Sequence, residues 1–235
     1  MNSIVQNIKE HTLGLSPVEA LAWLADAFPG QVVFSTSCGW EDQVISHMIF
    51  ANNLPIKVFT LETGRIFPET YYVWNRTMEM YGKPIHAYYP QHEALEQMVN
   101  AKGPSSFYES VENRKECCSI RKIEPLRRAL AGNQCWITGI RAEQSANRSD
   151  MHNAEWDEGN QLTKFHPIFD WTLNEVKTYI KNNNIPYNTL HDRGFPSIGC
   201  APCTRAVQPG EDFRAGRWWW EDQSKKECGL HAVSK

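Results

Sequence analysis

Apolar positions mark out a repeating order of strands and helices along the chain. After Ser16-Pro17-Val18-Glu19, the residues Leu21, Trp23, Leu24 and Phe28 return at helical spacing. The opening serine, the glutamate three residues on and the proline at the first turn form a helix start. Pro29-Gly30 stops that helix. Gln31 to Thr36 is a short β-rich run after a breaker, which predicts a buried strand. A helix over about Asp42 to Ala51 follows. The same order repeats with Ile56 to Leu61 as strand, Pro68 to Tyr81 as helix and Pro84 to Tyr89 as a third strand. Strands alternating with helices predict a parallel sheet with helices on its faces.

Beyond this βαβαβ run, Ala101 to Asn113 is poorly periodic and reads as a loop. Gln134 to Thr138 predicts another strand. Asn153 to Asn160 is polar and reads as a surface excursion, and Phe165 to Phe169 as extended chain. Thr172-Leu173-Asn174-Glu175 is a second capping box, opening a helix to about Asn183. The expected organisation is an α/β domain over residues 1–209 and a polar, flexible C-terminal tail over 210–235.

In such sheets ligands sit beyond the carboxyl ends of the strands, and three predicted loops lie there. The first, Ser35-Thr36-Ser37-Cys38-Gly39, has the small hydroxyl residues and glycine of a phosphate-binding loop. It lacks the Gly-Lys-Ser/Thr ending of a Walker A loop. The second is Leu61-Glu62-Thr63-Gly64-Arg65. The third, Gly139-Ile140-Arg141 running on to Gln144, Ser145 and Arg148, brings two arginines suited to an anion.

A net charge of −3 gives no reason to expect nucleic-acid binding. No apolar run approaches membrane-spanning length, and the first ten residues have no apolar core of a secretion signal. A cytoplasmic protein with reduced thiols is therefore expected, and clustered cysteines there read as metal or redox sites. Seven cysteines are present. Cys117-Cys118 are adjacent, with Lys122 one helical turn beyond Cys118. Cys200-Ala201-Pro202-Cys203 has a metal-ligand or redox spacing. Arg214 and Arg217 follow, then Trp218 to Trp220, and Cys228 stands with His231 three residues on. Read from residues alone, Cys117, Cys118, Cys200 and Cys203 could hold one metal centre, either zinc or an iron–sulfur cluster, and Cys200–Cys203 could instead be a redox pair. Cys135 in its strand reads as a small buried hydrophobe.

These motifs in this order resemble the assimilatory sulfonucleotide reductases, in particular the iron–sulfur type acting on adenosine 5′-phosphosulfate (APS). The residues that carry the resemblance are Cys117-Cys118 with Cys200-Ala201-Pro202-Cys203, Gly139-Ile140-Arg141 with Gln144-Ser145, Arg214 and Arg217 before the tryptophans, and Lys226-Glu227-Cys228-Gly229-Leu230-His231. The resemblance implies an adenine-nucleotide α-hydrolase-like fold and a [4Fe–4S] cluster on Cys117, Cys118, Cys200 and Cys203. It implies Cys228 as nucleophile, supported by His231, Lys122, Arg214 and Arg217. It implies substrate contacts from Ser35, Ser37, Gly39, Leu61, Thr63, Gly64, Arg65, Gly139 and Arg141. Thioredoxin or glutaredoxin would supply the thiols, and a homo-oligomer is expected. Glu62 departs from the family's usual Asp, and Cys38 from its usual apolar or Gly residue, which puts an oxidisable thiol in the phosphate loop. The alternatives are reduction of the 3′-phosphorylated nucleotide or of both substrates, a nucleotide-adenylating thiotransferase on the same fold, and a metal-binding module without catalysis.

Overall fold

The structure is a computed structural model and describes residues 3–144 and 151–221. Its helices are α1 (Ser3–Thr12), α2 (Pro17–Ala27), α3 (Trp40–Ala51), α4 (Pro68–Tyr81), α5 (His92–Lys102), α6 (Val111–Cys118), α7 (Glu124–Leu130) and α8 (Leu173–Asn182). Its strands are β1 (Val32–Ser35), β2 (Lys57–Leu61), β3 (His86–Tyr88), β4 (Cys135–Ile137), β5 (Ala154–Asp157) and β6 (Leu162–Phe165). No described helix is long and apolar enough to cross a membrane.

Both expected capping boxes form. Ser16 Oγ accepts from the Glu19 amide, and the Glu19 carboxylate accepts from the Ser16 amide at 2.8 Å. Thr172 and Glu175 repeat the exchange at the start of α8. Each box satisfies amide donors that a helix start otherwise leaves bare.

The sheet runs in the order β3-β2-β1-β4-β6-β5. β1 pairs in parallel with β2 and with β4, so Phe34 lies opposite both Val58 and Ile137. β4 pairs in parallel with β6. The chain order therefore reverses at β1: β2 lies on one side and β4 on the other. A ligand site is expected at such a switch point, beyond the carboxyl ends of the two strands.

The sheet is mostly parallel and flanked by helices as expected, with one antiparallel pair at its edge. Residues 153–160, expected to be a surface excursion, contain β5, which pairs antiparallel with β6. The turn between them holds Gln161 at φ +54°, while Asn160 donates to the Asp157 carboxylate. Local side-chain bonds set this hairpin, and its polar strand carries no β-branched run to announce it. The chain after β6 turns at Ile168 and Phe169 instead of staying extended, with the Phe169 amide donating to the His166 carbonyl.

Two compact units interleave along the chain. The first comprises Met1–Thr60, Glu69–His86 and Gly132–Asn188; the second comprises Leu61–Pro68, Ala87–Ala131 and Thr189–Lys235. The first has a large apolar core around Leu21, Leu24, Phe34, Ile45, Ile49 and Ile137. The second has a small one in which Cys117, Cys200 and Cys203 pack with Met98, Phe107 and Trp218. Residues 210–221 fall in the second unit. The tail expected to be flexible beyond them, 222–235, lies outside the described residues.

Candidate functional site

Within the first unit, the loop after β1 is fixed by short hydrogen bonds. Ser37 donates through both its amide and its hydroxyl to one oxygen of Asp42, each at 2.6 Å. The Cys38 amide donates to Thr36 Oγ1 at 3.0 Å, and Cys38 itself takes the left-handed conformation at φ +58°. Gly39 caps α3 without a side-chain bond. Ser35 Oγ accepts from the Trp136 indole N–H at 2.8 Å. Burial pushes the Asp42 carboxyl up to about 6, with the Ser37 bonds opposing and Glu41 assisting. The Cys38 thiol is pushed up to about 12 by burial and by the Asp42 charge. The expected oxidation-prone thiol is thus a buried, protonated one.

The loop after β4 packs on the same helix start. A side chain at Gly139 would run into Asp42 and the Glu41 Cβ. Arg141 is 1 % exposed. Its guanidinium pairs with Glu41 at 2.9 Å and with Glu143 at 2.8 Å. Ser35, Ser37, Gly39, Gly139 and Arg141 therefore gather around the start of α3, and Glu41 and Asp42 hold two of them. Sequence reasoning passed over both acids, although acidic residues in a helix's first turn are a visible signal.

In the second unit one pocket is lined by Cys117, Cys118, Cys200 and Cys203 together with Arg65, Phe107, Arg114, Arg121 and Lys122. Cys117 and Cys118 end α6. The next residues, Ser119–Ile123, form a π-helical segment in which the Glu124 amide donates to the Ser119 carbonyl. The wider turn carries both Arg121 and Lys122, and both are buried. Such π segments often occur at functional sites. Cys200 to Cys203 make a single 3₁₀ turn, fixed by the Ala201 amide donating to the Arg65 carbonyl at 2.7 Å. Thr63 Oγ1 lies 3.3 Å from Cys200 Sγ.

The loop after β2 is bound into this pocket. Gly64 has φ +70°, and its amide donates to the Glu62 carboxylate at 2.5 Å. Arg121 donates to the Thr63 carbonyl at 2.5 Å, while its buried Nε has no hydrogen-bond partner among the described residues. Arg65 stacks over Phe107 with Cζ 4.9 Å from the ring centre. Arg217 is buried against Gly199, where a Cβ would strike its guanidinium, and its Nε also lacks a partner among the described residues. Arg214 is half-buried and bonds Asp212 through its amide. Leu61 ends β2 and is half-buried.

The field at the cysteines is positive. Burial alone raises the Cys200 thiol, but Lys122, the Thr63 contact, Arg217 and Arg121 together bring it below its ordinary value. Cys203 is pushed up to about 12, by burial first and then by Cys200. All six cysteines among the described residues are free of disulfides. No three His, Cys, Asp or Glu side chains among the described residues converge closely enough to hold one metal ion. The four cysteines ring a pocket instead, and four thiolates are the donor set of an iron–sulfur cluster. The donor number, the burial and the surrounding cations fit such a group.

Arg114, also in the pocket wall, was not expected from sequence. It lies one helical turn before Cys117 and Cys118, a spacing that could have pointed to it. Its guanidinium grips Glu221 in a two-pronged pair at 2.8 and 2.9 Å, and stacks over Trp218. Cys228 and His231, the expected nucleophile and its neighbour, lie outside the described residues, as do Ser145 and Arg148.

Comparison with known proteins gives a consistent result. Residues 31–206 match the phosphoadenosine phosphosulfate reductase domain. The adenosine 5′-phosphosulfate reductase of Allochromatium vinosum is 50 % identical over 200 residues, covering 85 % of this chain and 78 % of the relative. The protein of the same description from Burkholderia cepacia is 50 % identical over 204 residues, covering 87 % and 82 %. Among solved structures, phosphoadenylyl-sulfate reductase from Candida auris superposes with a TM-score of 0.74 at 28 % identity, covering 88 % of this chain and 98 % of that one. Yeast FAD synthetase shares the fold alone, with a TM-score of 0.54 at 15 % identity, covering 88 % and 69 %.

Proposed function

The chain belongs to the phosphoadenosine phosphosulfate reductase family, and from that premise we propose that it reduces adenosine 5′-phosphosulfate to sulfite and AMP for sulfate assimilation. The observation that carries this reading is the pocket in which four cysteines stand among Arg65, Arg114, Arg121 and Lys122. The half-identity to adenosine 5′-phosphosulfate reductases along most of their length supports the unphosphorylated 3′ position.

The proposed chemistry runs in two displacements. The Cys228 thiolate attacks the sulfate sulfur, the bond from sulfur to the bridging oxygen breaks, and AMP leaves with the electron pair. Cys228 then carries an S-sulfonate. A donor thiol attacks the Cys228 sulfur and sulfite departs; the donor's second thiol frees Cys228 as the donor disulfide forms. The two thiols supply the two electrons that take sulfur from sulfate to sulfite. Splitting the reaction this way is covalent catalysis by a thiolate. Thioredoxin or glutaredoxin would serve as donor in the cytoplasm, where the free cysteines would stay reduced.

This chain's own residues have defined tasks in that scheme. Lys122, Arg121 and Arg217 neutralise the sulfate, whose charge otherwise repels a thiolate. Arg214 and His231 are proposed to assist Cys228 from the C-terminal segment. Leu61, Thr63, Gly64 and Arg65 contact the substrate, with Arg65 in the pocket wall, while Ser35, Ser37 and Gly39 form the phosphate-binding loop and Gly139 and Arg141 the arginine loop. A [4Fe–4S] cluster held by Cys117, Cys118, Cys200 and Cys203 would supply a buried, delocalised charge that fixes the field around Lys122. Assembly as a homo-oligomer belongs to the same proposal.

Mass spectrometry of anaerobically purified protein mixed with APS and no donor thiol tests the scheme. An adduct of sulfonate mass is expected on the Cys228 peptide and absent from Cys228→Ser. The same assay with the 3′-phosphorylated nucleotide ranks the two substrates. No adduct from either nucleotide, in protein with its iron intact, would sink the reductase reading.

A further inference from the structure

The loop Ser35-Thr36-Ser37 offers three hydroxyls, and the structure gives them different hydrogen-bond roles. Ser37 has spent its proton on Asp42. Thr36 accepts from the Cys38 amide and its own proton has no acceptor among the described residues, but at 3 % exposure it is withdrawn from a ligand in solution. Ser35 is half-buried and accepts the Trp136 indole N–H at 2.8 Å, while its own proton has no protein acceptor among the described residues. An indole can only donate, so this bond fixes which way the hydroxyl must act. With an oxygen lone pair occupied by Trp136, the Ser35 O–H is left to donate outward.

The donor is itself held. Trp136 is 1 % exposed on β4, and Val33 is its partner on β1. Its neighbour across β6 is Lys164, whose ammonium stands 5.3 Å from the indole centre and pairs with Asp157 at 2.9 Å. A cation over the ring draws electron density towards itself and strengthens the N–H as a donor. Asp157, Lys164, Trp136 and Ser35 thus form one chain of contacts ending at the loop beyond β1.

We propose that Trp136 is a positioning residue that makes Ser35 the hydrogen-bond donor of this loop to an anionic oxygen of the nucleotide. The inference rests on the reading above that Ser35 meets the nucleotide. Trp136 touches no substrate; it acts through Ser35.

The test is a double-mutant cycle on the full chain, with AMP binding measured by calorimetry for the parent, Ser35→Ala, Trp136→Phe and the double variant. A hydrogen bond to a charged oxygen predicts that each single change weakens AMP on the order of tenfold. The double variant should bind no more weakly than Ser35→Ala. In turnover the loss should appear in KM for APS and leave kcat within about twofold. Trp136→Phe binding AMP like the parent, with Ser35→Ala impaired, overturns the inference alone. So do losses that multiply in the double variant, since Trp136 then acts by another route. Ser35→Ala binding AMP like the parent overturns the placing of Ser35, and the inference with it.

Because Trp136 is a core residue, a second measurement avoids altering it. With indole nitrogens labelled, one of the nine tryptophan N–H signals should shift in Ser35→Ala, and the same signal should respond to AMP in the parent. No indole signal responding to Ser35→Ala would rule out the bond.

Discussion

Arg114 and Glu221 lie 107 residues apart, and both are almost wholly withdrawn from water. Their side chains are 1 % and 4 % exposed, and the two parallel bonds of 2.8 and 2.9 Å match the fork of a guanidinium to a carboxylate. Removing one partner of a buried pair takes from the other charge its two-pronged counterpart, which costs about 3–5 kcal/mol. In a chain of this length each kcal/mol shifts the melting temperature by roughly 2–4 °C. Glu221→Leu should therefore melt roughly 6–20 °C below the parent, and Arg114→Met by a similar amount. The Arg114→Met/Glu221→Leu double variant should recover much of the loss, because no lone charge remains.

Arg76–Glu79 is the internal control. It has the same 2.8 Å separation, but its side chains are 54 % and 62 % exposed. Water and salt screen such a pair to below about 1 kcal/mol. Arg76→Met should move the melting temperature by no more than roughly 2–4 °C. The assay is far-ultraviolet circular dichroism under anaerobic heating, with denaturant titration to convert each shift to free energy. If Glu221→Leu and Arg76→Met gave equal, small shifts, burial would not be what makes the Arg114 pair strong. If the double variant were worse than either single, the loss would come from packing against Trp218 and not from stranded charge.

Three further outcomes follow from the geometry. Asp42 titrates near 6 in the folded chain and near 4 unfolded, so the folded state holds the extra proton between those values. Its contribution to stability is present below about pH 4 and is lost as pH rises through about 6; Asp42→Asn should flatten that slope in denaturant titrations across pH 4–7. A methyl group at Gly216 would meet the Arg205 carbonyl, which belongs to the backbone and cannot swing aside. Gly216→Ala should cost about 1–3 kcal/mol in unfolding free energy. Cys203→Ser should lose bound iron and its visible absorbance, whereas Cys38→Ala, in the first unit, should keep both; equal iron in the two variants would contradict the proposed ligand set.

The parts of the fold that were legible in the sequence are those set by neighbours in sequence. Ser16 with Glu19 and Thr172 with Glu175 announce helix starts because each box closes within three residues. The strands ending at Ser35, Leu61 and Ile137 are short apolar runs between breakers, so their carboxyl-end loops could be found in advance. The hairpin of β5 and β6 escaped because Ala154 to Asp157 is stabilised by its turn and by pairing, not by β-rich composition. The π segment escaped for another reason. A 3.6-residue period locates Lys122 after Cys118, but it does not show the widened turn that buries Arg121 as well. Arg114 with Glu221, and Trp136 with Ser35, are bonds across more than a hundred residues, and no local pattern encodes them.

Buried charge distinguishes the two units more sharply than any motif does. In the first unit the buried Arg141 and Lys164 each sit against carboxylates already, Glu41 and Glu143 for one and Asp157 for the other. The loop proposed to bind phosphate thus offers an anion the neutral donor of Ser35 and a helix start with no side-chain cap, and little uncompensated charge. In the second unit Arg121 and Arg217 are buried with a guanidinium nitrogen unmatched among the described residues. Burying a cation that poorly matched is costly, and proteins sustain it where another anion completes the site. Thiolates around a metal group and a bound sulfate would both do so. It follows that loss of the iron should loosen the second unit before the first. Hydrogen exchange of Ser119–Ile123 should then rise while that of β1 and β4 stays as it was; a uniform rise through both units would mean that the cations draw their compensation from elsewhere in the fold.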